Sequence, residues 1–169
     1  MKKLALGLLA ATLLFTACGK DEDENQSPPN SFTINDQEVI TRYGYLVDWN
    51  QDGSQLIFTD KDISVEGFSG NASAIGIDLD KIVSGQTYTF KSTDSASYDG
   101  TKNFSTAQVY HNQPFANGEF TDAAKGLDSL TGGSVTVRIV EGYYSVVYDL
   151  KYANTTVKGE FNDVLILLK

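Results

Sequence analysis

The chain has 169 residues, enough for one domain and few for two. Its thirteen Lys and Arg stand against twenty-two Asp and Glu, a formal charge of -9, and form no basic block, which excludes nucleic acid as an expected partner. Nine Tyr, nine Phe and one Trp supply material for a core and exclude general disorder.

Residues 1 to 17 read MKKLALGLLAATLLFTA. Lys2 and Lys3 precede an apolar run from Leu4 to Phe15, and small residues follow. This is the layout of a secretory signal peptide, too short for an ordinary membrane span. It leads directly into Cys18, the only cysteine. LFTAC resembles the lipobox of bacterial lipoproteins, with Phe15 where Leu is usual. The resemblance implies a thioether-linked diacylglycerol on Cys18 (an acylation of the palmitate kind), with cleavage before it. Two or three acyl chains anchor firmly where one does not. Loss of Lys2 and Lys3 leaves eleven basic against twenty-two acidic residues, so the body repels anionic headgroups and the lipid must hold it.

Residues 18 to 30 form the lipidated cysteine and its linker. After Cys18 the segment is acidic, carries Pro28-Pro29 and has no large apolar residue, the mark of an extended, solvated tether. Lys20, Asp21, Glu22, Asp23 and Glu24 resemble the surface-export signal of Bacteroidota lipoproteins. That resemblance implies an outer-membrane lipoprotein facing the cell exterior.

From residue 31 to 169 the pattern has period two, which predicts one all-β domain. SFTI, a turn at Asn35-Asp36 and a long strand from Val39 to Trp49 come first. NQDGS turns into QLIFT; SAIGIDL puts Ile75, Ile77 and Leu79 on one face; GQTYTF and KNFSTAQVYH follow. Residues 112 to 133 are weakly patterned, although Phe115 and Phe120 argue that part of them packs, and 121 to 127 suit a helical turn or two. Beyond them, Val135, Val137 and Ile139 share a face, as do Tyr144, Val146, Tyr148, Leu150 and Tyr152. Turns at Glu141-Gly142, Ala153-Asn154 and Asn162-Asp163 predict a C-terminal four-stranded meander. The expected fold is a single antiparallel β-sandwich or β-barrel of about nine strands. GGSVTV, YYSVVYDL and TVKGEF resemble the small all-β domains of Bacteroidota lipoproteins, which implies fold and location and specifies no ligand.

Asp48, Asn50 and Asp52 alternate before Gly53, the opening of a calcium loop, and the carbonyl of Ser54 would be the next ligand for Ca2+. The twelfth position is Thr59 where a bidentate Glu is needed, so this is no EF-hand. A hairpin turn uses the same residue types for backbone conformation and side-chain caps. No other cofactor is indicated. His111 is the single histidine, and no G-x-S-x-G elbow occurs, so an enzyme is not expected. Acid pairs for a glycan-processing enzyme cannot be selected from sequence.

Tyr43, Tyr45 and Trp49 fall on one strand face with Val39 and Val47, a stripe that reads as core, while Tyr98 and Tyr143 sit near turns and suit exposure. Ser95 and Ser129 lie in D-[ST]-apolar tripeptides that resemble Bacteroidota O-glycosylation sites. The expected role is a non-enzymatic binding or accessory module, held to a membrane through its acyl anchor and taking a glycan, a peptide or an envelope-protein partner. A structural subunit of an envelope complex is the alternative.

Overall fold

Asn35 and Asp36 both adopt positive φ, as do Asn117-Gly118 and Glu141-Gly142. Positive φ at both central residues is what a type I′ turn requires, and each pair closes a two-residue hairpin. The computed structural model in which they are seen describes residues 30 to 168. Its strands are β1 (Ser31–Ile34), β2 (Gln37–Ile40), β3 (Tyr43–Asp48), β4 (Ser54–Thr59), β5 (Ser69–Leu79), β6 (Gln86–Phe90) and β7 (Asn103–Phe104). There follow β8 (Thr106–Ala116), β9 (Glu119–Phe120), β10 (Leu130–Val140), β11 (Tyr143–Tyr152), β12 (Thr156–Val164) and β13 (Ile166–Leu168).

The domain is all-β and sandwich-like. A seven-stranded sheet has the order β2-β1-β12-β11-β10-β6-β7, and a six-stranded sheet the order β13-β3-β4-β5-β8-β9. The sheets are mixed rather than purely antiparallel, because β13 pairs parallel with β3 and β6 with β7. The described strands also outnumber the nine expected. The stretch from Val39 to Trp49 breaks at Thr41-Arg42, where the chain passes from one sheet to the other. The C-terminal meander has three strands, not four. Asn162 and Asp163 lie inside β12 and do not turn, and the chain bends only at Leu165 to cross into the second sheet as β13. Residues 121 to 127 form no helix: the Ala124 amide donates to the Thr121 carbonyl, and Gly126 bridges to Tyr110.

The inner faces follow the period-two alternation. Phe58, Ile75 and Val109 line up across β4, β5 and β8, and Leu56, Ile77 and Ala107 form the next row. From the other sheet come Val135, Val137, Val146, Leu150 and Val157. Phe58 joins the layers, stacked on Phe161 at 4.6 Å and on Tyr148 at 5.9 Å. Gly159 lies opposite Tyr148 in register. A Cβ there would sit 2.5 Å from the Ser31 carbonyl oxygen and 2.6 Å from Tyr148 Oη. The glycine therefore makes the slot that admits the tyrosine, which explains the TVKGEF pattern.

Candidate binding cleft on the six-stranded sheet

Residues opposite one another in register project from the same face of a sheet. On the outer face of the six-stranded sheet this gives the row Tyr45, Ile57, Gly76, Gln108, with Tyr43, Thr59, Ala74 and Tyr110 beside it. A cleft of about 300 Å³ opens over these rows. Ile57, Ala74 and Gly76 belong to its floor strands, and the Gln55 and Gln108 amides line it.

One wall comes from the β8–β9 hairpin. Tyr110 stacks on Phe120 with ring centroids 3.9 Å apart, and Phe120 meets Phe115 edge-on at 5.2 Å. The hairpin closes at Asn117-Gly118 and places Phe115 opposite Phe120, so both rings fall on one face. A bulge around Ala72 to Ala74 shifts the register of β8, which sets Phe115 on the outer face with Tyr110 although they are five positions apart, an odd offset. The other wall is the loop that follows β4. Phe68 from this loop packs against Phe115 at 5.7 Å.

Tyr45 holds that loop down. It is fully buried, and its Oη donates to Asp62 Oδ1 at 2.8 Å while accepting the Ile63 amide at 3.1 Å. Burial, and then the Asp62 carboxylate, push the Tyr45 phenol up to about 12. Asp62 is held below the usual carboxylate range, first by the Ser64 hydroxyl and then by Tyr45. At neutral pH the pair is thus a neutral phenol donating to an ionised carboxylate. At the far side of the cleft, Gln55 Nε2 donates to Asp78 Oδ1 at 2.7 Å. Burial raises the Asp78 carboxyl, and the Gln55 bond opposes the shift.

Glu119 is the one carboxylate among the described lining residues, and neither Lys nor Arg is among them. The surface combines ring carbon, amide donors and acceptors and one anion. It suits a neutral or cationic ligand with an apolar face and a polar edge.

The sequence-predicted sites lie elsewhere. Cys18 and Lys20, Asp21, Glu22, Asp23 and Glu24 fall outside the described residues. Asp48, Asn50, Asp52 and Ser54 come together at the β3–β4 connection, a 3-10 turn at Asn50–Asp52. There the Asp48 carboxylate accepts the Asn50 amide at 2.8 Å, and the Trp49 amide donates to the Gly53 carbonyl at 2.9 Å. Those bonds close a hairpin. Among the described residues no group of three or more His, Cys, Asp and Glu is placed to hold a metal.

His111 is half-buried inside β8 at the bulge rather than at a strand end. Ser95 is half-buried in the β6–β7 loop with its hydroxyl 3.1 Å from that of Ser97, and Ser129 is exposed before β10. The aromatic stripe of Tyr43, Tyr45 and Trp49 divides. Val39 faces the sandwich interior on β2, Tyr45 lies under the loop outside, and Trp49 is exposed past the end of β3. Tyr143 is exposed as expected, and Tyr98 is half-buried.

Periodicity does not assemble the cleft. The signal available in the sequence is Asn117-Gly118 flanked by Phe115 and Phe120, a hairpin pattern inside the weakly patterned stretch. No protein-family model matches the chain, and no curated protein or solved structure matches it.

Proposed function

We propose that this chain is an outer-membrane lipoprotein, carried on the cell exterior by acyl chains on Cys18, that works as a non-enzymatic binding module and takes its ligand in the cleft on the six-stranded sheet. The observation that carries the reading is the cleft itself: three aromatic rings on one wall, two neutral amides, and a glycine in the floor. Rings and amides recognise shape and hydrogen-bonding edges, which is the work of a binding site. The described lining residues include a single carboxylate, so paired-carboxylate chemistry has no support from them.

The test uses the full chain with Cys18→Ser to keep it soluble. It is screened on an array of neutral oligosaccharides and against a displayed random-peptide library. Binders selected on the parent should lose at least tenfold in affinity against Tyr110→Ala and Phe120→Ala, about 1.4 kcal/mol. Binders that hold both variants as tightly as the parent would move the site elsewhere. Export is read separately. Deleting residues 20 to 24 should remove the protein from protease attack on intact cells, and unchanged shaving would sink the surface assignment.

A further inference from the structure

Large apolar side chains gather, exposed, at one end of the seven-stranded sheet. Val140 is opposite Tyr143 in register, and Tyr143 is opposite Val164, so the three form one row. They are 53 %, 60 % and 49 % exposed. All three project from the outer face of the seven-stranded sheet, whereas Ile166 on β13, opposite Tyr45 in register, faces outward from the other sheet. β13 is an edge strand of the six-stranded sheet. An exposed apolar row of this kind marks a contact with something.

The chain enters the domain beside this surface. Asn30, the first described residue, accepts the Asn162 amide through Oδ1 at 2.7 Å, and its carbonyl accepts the Thr41 amide at 2.8 Å. Asn162 is two residues along β12 from Val164, a separation of about 7 Å. The segment leading back to Cys18 thus leaves the domain next to the apolar row.

We propose that this end of the domain rests on a zwitterionic lipid surface, the bilayer that holds its own anchor; this rests on the reading of Cys18 as lipidated. Asn30 lies twelve residues beyond Cys18. Twelve residues reach at most about 40 Å. Tethering at that range gives the patch an effective concentration near the millimolar level, so a few side chains suffice where a free protein would not stay bound. Tyr143 is suited to the interface, with an apolar ring and a polar tip. Arg138 and Glu141, both exposed beside the row, offer one charge of each sign, which suits zwitterionic headgroups. The cleft's hairpin includes β9, the opposite edge of the six-stranded sheet, five strand spacings or about 24 Å from β13. The cleft opens on the outer face of the six-stranded sheet, away from the Val140–Tyr143–Val164 row, so a domain seated on that row leaves it open to solvent.

The experiment places the lipidated full chain, purified from native membranes, in phosphatidylcholine vesicles with lipids brominated along their acyl chains. Tyr143→Trp and, as the control, Val65→Trp are each made in a Trp49→Phe background; Val65 is exposed in the loop beside the cleft. The indole at position 143 should be quenched at least twofold and the indole at 65 left unchanged. The unsubstituted chain gives a second readout: backbone hydrogen exchange at Glu141-Gly142 and Val164 should slow on vesicles relative to detergent. Intact mass separates the two ways of failing. Lipid mass on Cys18 with equal quenching at both positions, or with none, overturns the seating and leaves the anchor standing. Absence of lipid mass overturns both. A concentration-dependent dimer, abolished by Val140→Ser with Val164→Ser and accompanied by no quenching, assigns the patch to a second copy and also overturns the proposal.

Discussion

The two sheets differ most on the faces turned away from the core. On the seven-stranded sheet the exposed apolar row of Val140, Tyr143 and Val164 lies at one end, and the central outer rows are largely polar. Thr87, Thr136, Val147 and Glu160 line up in one, and Thr89, Ser134, Asp149 and Lys158 in the next. Thr87 and Thr136 join hydroxyls at 2.9 Å, and Lys158 pairs with Asp149 at 3.3 Å. Rows of this composition need no cover. On the six-stranded sheet the outer rows carry Tyr45, Ile57 and Tyr110, which must be covered. The loop after β4 and the β8–β9 hairpin cover them incompletely, and the gap between the two covers is the cleft. A site arises where a sheet has an apolar outer face and only part of a lid.

The largest expected effect falls on the seven-stranded sheet, whose interior leaves no slack. Gly159→Ala would put a methyl group against the Ser31 carbonyl and the Tyr148 hydroxyl. The Ser31 oxygen is backbone in the neighbouring strand and cannot swing aside. Overpacking of this kind costs about 3 kcal/mol. Urea denaturation should show that loss in the midpoint at unchanged slope. A loss under about 1 kcal/mol would mean that β1 and Tyr148 both shift to admit the methyl group and that the slot is no constraint.

A smaller and local effect is expected on the six-stranded sheet. Tyr45→Phe keeps the buried ring but leaves the Ile63 amide without its acceptor and Asp62 without its phenol donor. Solvent screening around the half-buried Asp62 keeps this cost below that of the Gly159 overpacking. The loss should appear as faster hydrogen exchange at Ile63 and Ser64, with the amides of Val135 and Val137 unchanged. Ligand affinity should fall with it, since the loop is one wall of the cleft. Exchange that quickens equally in both sheets would show that the loop and the sandwich open as one unit.

That separation also explains what could be read from sequence. Alternation identifies the inner faces well. Val135, Val137 and Ile139 pack inward on β10, and Tyr144, Val146, Tyr148, Leu150 and Tyr152 do the same on β11. Asn35-Asp36 and Glu141-Gly142 turn where their residue types say they should. Period alone carries no information about which strand neighbours which. The crossings at Thr41-Arg42 and Leu165 depend on two sheets meeting at a corner. The pattern therefore predicts one long strand where there are two, and a hairpin where Asn162 and Asp163 run straight on. The cleft is hidden for the same reason. Gln55, Gly76, Gln108 and Phe120 come from four strands, and only the register brings them together.

The smallest effect concerns Asp78, at the border of the cleft and next to Gln55 on the outer face. Burial raises its carboxyl above the usual value, so the folded state binds this proton more tightly than the unfolded chain does. Ionisation then works against folding: the cost is fully present above the folded pKa, and it is relieved as pH falls through that value toward the unfolded one. Asp78→Asn removes the titration and retains an oxygen to accept from Gln55 Nε2. The variant is therefore expected to melt higher than the parent at pH 7, with the gap closing as the pH is lowered through the acidic range, read by calorimetry at both ends. Were the variant to melt lower at pH 7, the charge-assisted bond from Gln55 would outweigh desolvation. The polar border of the cleft would then stabilise the six-stranded sheet, as the Asp149–Lys158 pair is placed to do on the other face.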